Sequence, residues 1–361
     1  MGAWRRRGGG LGCAPAQASP YAGDVTATRT KPRLAPGNCS VTWDGASDPA
    51  WGTASPATFW VAMEQRGPWG HKAITQSRLD PVVGARLEQG TLAAGGRALL
   101  IRDASRERHS AVDGYPRRVY VSGGMTAGTP WLLTGEHTDA AEIASLPFDA
   151  IAAGDQEAVR SAAPWLSPAS DGPVALVCTN SKRDVCCALR GRPLVGALTE
   201  RLPGRVWQCS HTGGHRFAPT GLVLPHGLSF ARASEPDLLV EALHTLRGGS
   251  APAALLTARH LRGLAHLPAV QQAADGYVRA TYGVTDLTAL TVCDEEPDER
   301  GAHMARADTA SERNHFVRVD HRDGRYWCLR VTERDTATRP VSCGGALVDA
   351  TAYHVTALPD R

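Results

Sequence analysis

At 361 residues the chain exceeds what one hydrophobic core usually organises, so its length predicts two or three domains. A composition 42% hydrophobic and 21% charged is that of an ordinary globular protein, and a formal charge of +3 offers no concentrated basic face for nucleic acid. No run approaches the roughly 20 consecutive apolar residues that cross a membrane as a helix.

Residues 1–37 are rich in Gly, Ala, Arg, Thr and Pro, lack apolar periodicity and read as a disordered leader. The basic run Arg5-Arg6-Arg7 has no aromatic interleaving, and Gly8 to Pro36 contains no apolar segment of the secretory type. A cytoplasmic location is therefore expected. In that reducing setting nine cysteines, an odd number, point to metal ligation or redox chemistry before a disulfide framework.

An N-terminal α/β domain is expected over 38–165. Its strands are Phe59 to Met63, Ala98 to Ile101, Arg118 to Val121 and Trp131 to Leu133, with a helix over Leu79 to Leu92. A second domain is expected over 171–250. Val174 to Val177 is a continuous apolar strand ending at Cys178, and Pro193 to Leu202 has helical spacing with its proline near the first turn. Arg205 to Cys209 is a strand, Gly221 to Ala231 a hairpin and Glu235 to Leu246 a helix. That order, β-α-β-β-β-α, predicts a thioredoxin-like fold lacking its first short strand. Residues 251–361 read as a helical linker, with two helical stretches between Ala254 and Tyr282, and a small strand-rich C-terminal segment. No fixed-period repeat is visible.

The chemistry concentrates in the second domain. Cys178 and Cys187 flank a polar loop of eight residues, and His211 and His215 bracket Thr212-Gly213-Gly214. Each pair follows a predicted strand; parallel neighbouring strands would place both pairs at one sheet edge, where open α/β folds build their sites. Two thiolates and two imidazoles suit iron in a cluster, or zinc. Zinc fingers separate paired cysteines by two to four residues, and the wider loop here is more natural around a two-iron unit.

These blocks resemble the sucrase/ferredoxin-like family. The residues that carry the resemblance are Leu176-Val177-Cys178, Arg183 to Ala188, Gly191 to Leu194, and Cys209 through His211-Thr212-Gly213-Gly214-His215-Arg216-Phe217-Ala218-Pro219. Cys39-Ser40-Val41, Gly67-Pro68-Trp69-Gly70 and Ser77 to Asp80 extend it across most of 39–248. The resemblance implies a thioredoxin-like domain holding a [2Fe–2S] cluster through Cys178, Cys187, His211 and His215. The register follows Asp184, which leaves Cys186 a spectator. An electron-transfer or redox-sensing protein is implied, a carrier in preference to an enzyme with its own substrate. Its expected partner is another redox protein, with neither nucleic acid nor membrane involved. Histidine ligation would raise the reduction potential above that of an all-cysteine site and make it fall as pH rises, if the far imidazole nitrogens take up protons on reduction.

Other readings stay open. A zinc-containing or thiol-based thioredoxin-like reductase using Cys187 is the main alternative, and a vestigial interaction module the weakest. No pair of carboxylates stands out as flanking a glycosidic bond, so no sucrase activity is expected. Lys182 and Arg216 would guide an acidic partner or balance cluster charge, or are plain loop charges. Trp207 and Phe217 read as core packing. Cys13 falls in the leader, and Cys39 and Cys209 read as buried thiols. Cys293, Cys328 and Cys343 could cluster in the strand-rich tail as a second metal site, but their spacing supports none, so they are expected to be core or half-exposed thiols.

Overall fold

A computed structural model describes residues 1–2, 33–104, 114–295 and 312–359. Most of the expected leader, with Arg5 to Arg7 and Cys13, lies outside the described residues. Leu34–Arg361 forms one unit by its internal contacts.

The N-terminal half comprises helix α1 (Cys39–Asp44), β1 (Trp60–Glu64), α2 (Pro81–Ala93), β2 (Arg97–Arg102), β3 (Arg117–Gly123) and β4 (Trp131–His137). Short helices α3 (Ala140–Ile143), α4 (Phe148–Ala152) and α5 (Gln156–Ala162) and the two-residue β5 (Ser167–Pro168) follow. The second half comprises β6 (Val174–Cys178), α6 (Val185–Arg201), β7 (Val206–Cys209), β8 (Gly221–Leu224), β9 (Leu228–Phe230), α7 (Pro236–Thr245) and β10 (Leu261–Leu264).

All ten strands join one sheet, in the order β10-β9-β8-β6-β7-β2-β1-β3-β4-β5. Within each half the first strand runs parallel to the second and antiparallel to the third, and the third is antiparallel to the fourth. One connectivity therefore occurs twice, without a repeat in the sequence. The halves meet where β2 and β7 pair antiparallel, Ile101 opposite Cys209 and Arg102 opposite Gln208. The continuous apolar runs noted in β1 and β6 are buried at every residue, as strands covered on both faces require.

Two expectations need correction. The helix expected to begin at Pro193 begins at Val185, so Pro193 lies in its interior. The earlier start comes from Asp184, whose carboxylate caps the helix by accepting from Cys186 N at 2.8 Å. In consequence Cys187 sits in the first helical turn and not in a wide loop. The first of the two helical stretches expected after Ala254 is also absent: Leu261–Leu264 is β10, antiparallel to β9 at the sheet edge, and only α8 (Ala269–Tyr282) is helical there. Pairing with an existing edge outweighs the weak helical spacing of the segment Leu261-Arg262-Gly263-Leu264.

The strand-rich C-terminal expectation holds. β11 (Leu290–Asp294), β12 (Glu312–His321), β13 (Tyr326–Asp335) and β16 (Thr351–Ala357) form an antiparallel sheet in that order, and β14 (Arg339–Pro340) pairs with β15 (Leu347–Val348). Helix α8 covers this sheet with Ala273, Ala274 and Val278 against Val317, Val319, Leu329 and Val331. Trp51 Nε1 donates to Tyr353 O (2.8 Å) and Trp43 Nε1 to Pro340 O (2.9 Å), fastening the segment to the start of the chain. Among the described residues no helix is long and apolar enough to cross a membrane.

The seam between the halves converges on one side-chain oxygen. Gln208 Oε1 accepts from Arg102 Nε (3.2 Å) and Nη2 (3.1 Å) and from Thr179 Oγ1 (2.8 Å), all buried. Truncating Gln208 leaves a buried guanidinium and hydroxyl short of this acceptor. Gln208→Ala is expected to lower unfolding free energy by about 2–3 kcal/mol, measured by denaturant titration against wild type.

Candidate metal centre

Strands β6 and β7 are parallel neighbours, with Cys178 opposite Cys209. Their C-terminal ends therefore open on the same edge. Cys178 ends β6, and Cys187 descends to it from the first turn of α6. The chain leaving β7 supplies His211 and, from a short 3-10 turn at His215–Phe217, His215. Helix α6 can lie this close because residue 191 is glycine: a Cβ there would stand 2.4 Å from Cys178 O.

The four residues singled out in the sequence are brought together. Cys187 Sγ is 3.5 Å from His215 Nδ1, and the rings of His211 and His215 stack with centroids 4.6 Å apart. Cys178 bonds to Ser210 O at 3.4 Å and is held well below the usual thiol range, first by the hydrogen bond from Cys187 and then by His211. Cys187, donating to Cys178 and buried, is pushed well above that range. Burial lowers His215 to about 4, so its ring is neutral at pH 7, the state a metal ligand needs. His211 Nδ1 is buried without a hydrogen-bond partner. An orphaned imidazole nitrogen beside two thiols and a neutral imidazole is the donor chemistry of a soft-metal centre, and these residues fit such a group.

A buried cation lies behind the histidine loop. Arg262, on β10, donates through Nη1 to Thr212 O (3.0 Å) and Gly213 O (3.2 Å), through Nε to Thr53 Oγ1 (3.2 Å) and through Nη2 to Thr53 O. These acceptors are neutral. Burial lowers its guanidinium to about 10, while charge on Cys178 and Cys187 acts in the opposite sense. Sequence reading missed Arg262, which sat in a stretch expected to be helical, among other charged and imidazole side chains that gave no signal to separate it. The corresponding strand ends of the N-terminal half carry Glu64 and Arg102 in place of Cys178 and Cys209.

The vicinal thiols part company. Cys187 faces Cys178 and His215, whereas Cys186 faces Cys39 and Cys343. Cys39, Asp184, Cys186 and Cys343 bring their donor atoms within 4.8 Å of one another, a Cys/Asp cluster that could bind a metal ion. The expected spectator Cys186 and buried thiol Cys39 thus belong to a second group. Of the three tail cysteines Cys343 joins it, while Cys293 is exposed and Cys328 half-buried elsewhere in the C-terminal sheet. Cys186 is lowered to about 6, first by the Cys39 S–H and against burial, and Cys39 is raised correspondingly. Spacing alone could not find this group, because its members come from three separate parts of the chain.

Trp207 and Phe217 are core, as expected: Trp207 Nε1 bonds to Tyr120 OH at 3.2 Å, and Phe217 packs edge-on against Trp43. Arg216 lies over both Trp43 and Phe217, and Lys182 is exposed. The loop between the histidines depends on left-handed backbone at Gly214 (φ 69°), where a Cβ would meet Arg262 Cζ at 2.8 Å. Gly214→Ala is expected to cost at least about 2 kcal/mol in urea unfolding, from the left-handed penalty plus the displaced guanidinium. Gly196→Ala, in α6 with open space around it, is expected to be neutral or stabilising by up to about 1 kcal/mol.

Residues 50–249 match the family model described as sucrase/ferredoxin-like. No curated protein matches the chain, and no solved structure does. The matched span contains β1 through α7 and all four residues of the first cluster, and it exceeds half of the 361 residues. The chain belongs to the sucrase/ferredoxin-like family.

Proposed function

We propose that the protein is a [2Fe–2S] electron-transfer or redox-sensing protein whose cluster is held by Cys178, Cys187, His211 and His215. The observation that carries this reading is the convergence of two thiols and two imidazoles at the paired ends of β6 and β7, with an imidazole nitrogen left unpartnered. When bound, the cluster supplies one-electron chemistry.

The residues around it prepare that chemistry. Cys178 is the thiol of the pair readier to give up its proton, and His215 is already neutral, so the deprotonation that ligation requires at pH 7 falls on Cys187. Arg262 places a fixed positive charge behind the ligand loop, which favours the more negative, reduced state of any centre there and raises its potential. His211 is half-exposed and gives the site its outlet toward solvent, and Lys182, four residues after Cys178, is exposed. That opening suits docking of another redox protein, with Lys182 available to an acidic partner. The β-α-β-β-β-α order of β6 to α7 supports a thioredoxin-like reading of this half, with the N-terminal half a relative stripped of donors. The eight described cysteines form no disulfide with one another, which suits a reducing compartment such as the cytoplasm.

A thiol reductase attacking through Cys187 fits less well. A nucleophilic cysteine needs a lowered pKa, and Cys187 is the member of its buried pair that is pushed up.

Anaerobic purification tests the proposal directly. Red-brown protein with iron and sulfide in equal amounts, and a visible spectrum that shifts in His215→Cys, is the expected result. Colourless protein without iron after cluster reconstitution would reject it. Arg262→Gln, provided it retains iron, is expected to have a lower midpoint potential than wild type in a spectroscopic redox titration.

A further inference from the structure

We propose that Cys39, Cys186 and Cys343, closed by Asp184, form a second and mononuclear metal site that takes a zinc-type divalent ion and staples the C-terminal segment to the cluster-bearing half. This inference stands on different residues from the proposed [2Fe–2S] site and does not depend on it.

The donors lie close enough to share one ion, and Cys39 stands at ligand spacing from both other sulfurs. The sulfur–sulfur distances are 3.7 Å for Cys39–Cys186, 3.6 Å for Cys39–Cys343 and 3.2 Å for Cys186–Cys343. Tetrahedral zinc with Zn–S of about 2.3 Å and Zn–O of about 2.0 Å separates two sulfurs by about 3.8 Å and a sulfur from an oxygen by about 3.5 Å. Cys39 Sγ stands 3.6 Å from Asp184 Oδ2 and 3.8 Å from Oδ1. A two-iron cluster would instead splay its ligands in pairs at opposite ends. A disulfide needs a sulfur separation of about 2.0 Å, and pairing any two of the three thiols would strand the third.

The surroundings are built to hold these atoms in place. Asp184 Oδ2 accepts from Cys343 N (2.7 Å) and Ser342 Oγ (3.0 Å), and Oδ1 accepts from Cys186 N (2.8 Å). Oδ1 therefore keeps a lone pair for an ion. Cys343 Sγ accepts from Cys39 N and from Asn38 Nδ2, both at 3.5 Å, as the thiolates of metal sites do. Ser40 is fully buried, and its hydroxyl, next to the Cys186 sulfur, has no conventional hydrogen-bond partner. A thiolate at Cys186 would supply the missing acceptor. Cys343 is the half-exposed member and gives an ion its way in, while Cys39 and Cys186 are buried.

Binding sends the remaining thiol protons to solvent, and three thiolates, one carboxylate and a divalent ion make a complex of net charge −2. Arg216, near enough to Cys39 to sense its charge, offsets part of that. The ion would link the first residue of α1, the first turn of α6 and the loop between β14 and β15. Cys186 would thus serve this site while its neighbour Cys187 serves the other.

Metal analysis of the full-length protein from zinc-supplemented cultures tests this, read together with iron content and visible spectrum. Wild type is expected to retain one zinc per chain through gel filtration. Cys343→Ala, on an accessible loop, is expected to lose that zinc and melt at lower temperature with iron and spectrum unchanged. His211→Ala, which disables the other site, is expected to keep it. Absence of stoichiometric zinc from folded wild type, or zinc retained by both Cys343→Ala and Cys39→Ala, overturns the proposal. A disulfide joining any two of the three cysteines, found by non-reducing peptide mapping, overturns it in favour of a thiol pair. Loss of iron in place of zinc from Cys343→Ala also overturns it, and would assign the cluster to these residues.

Discussion

Asp184 is the point on which both clusters depend. Burial pushes its carboxyl upward, but hydrogen bonds from Cys343 N, Cys186 N and Ser342 Oγ outweigh burial and hold it below the usual carboxylate range. One of these bonds starts helix α6, and the other two pin a loop more than 150 residues further along the chain. Because the cap sets where α6 begins, it also sets the direction of each side chain in the first turn. Consecutive helical residues point about 100° apart. Cys186 therefore turns toward Cys39 and Cys343, and Cys187 toward Cys178 and His215. A cap shifted by one residue would misdirect both thiols.

The sheet explains why the first cluster sits at central strands of the ten. Two halves of identical connectivity pair through β2 and β7, and the donors hang from the strand ends beside that seam. The same seam carries Gln208, which joins Arg102 of one half to Thr179 just after Cys178 in the other. The N-terminal half uses its equivalent strand ends differently. Glu64 pairs with Arg66 at 2.9 Å, and the Arg102 guanidinium lies over Trp69. Those are satisfied polar contacts of a structural kind, so the repeated topology carries its donors on one side alone.

The residues beyond the family-matched span are not an appendage. β10 brings the buried charge of Arg262 beneath the histidine loop, and the loop after β14 brings Cys343 to Asp184. A buried guanidinium held by neutral carbonyls and a hydroxyl is costly in isolation, and negative charge on nearby Cys178 and Cys187 favours it. The C-terminal third thus completes the electrostatics of a site whose candidate ligands all lie upstream.

Much of this was legible in the sequence. Continuous apolar runs marked β1 and β6, because strands covered on both faces have no polar side to display. The paired thiols and imidazoles following predicted strands marked the first cluster, and the parallel pairing of β6 with β7 brings them to one edge. The family motif drew attention to Asp184, although its role as a helix cap, and with it the start of α6 ahead of Pro193, appeared only in the structure. What sequence alone could not decide were the contacts between distant segments: the fusion of two halves into one sheet, β10 at its edge, Arg262 behind the loop, and the meeting of Cys39, Cys186 and Cys343. Periodicity and spacing report on neighbours within a few residues. These contacts form between segments up to about 300 residues apart, chosen by which edges and buried charges must be satisfied once the chain has collapsed.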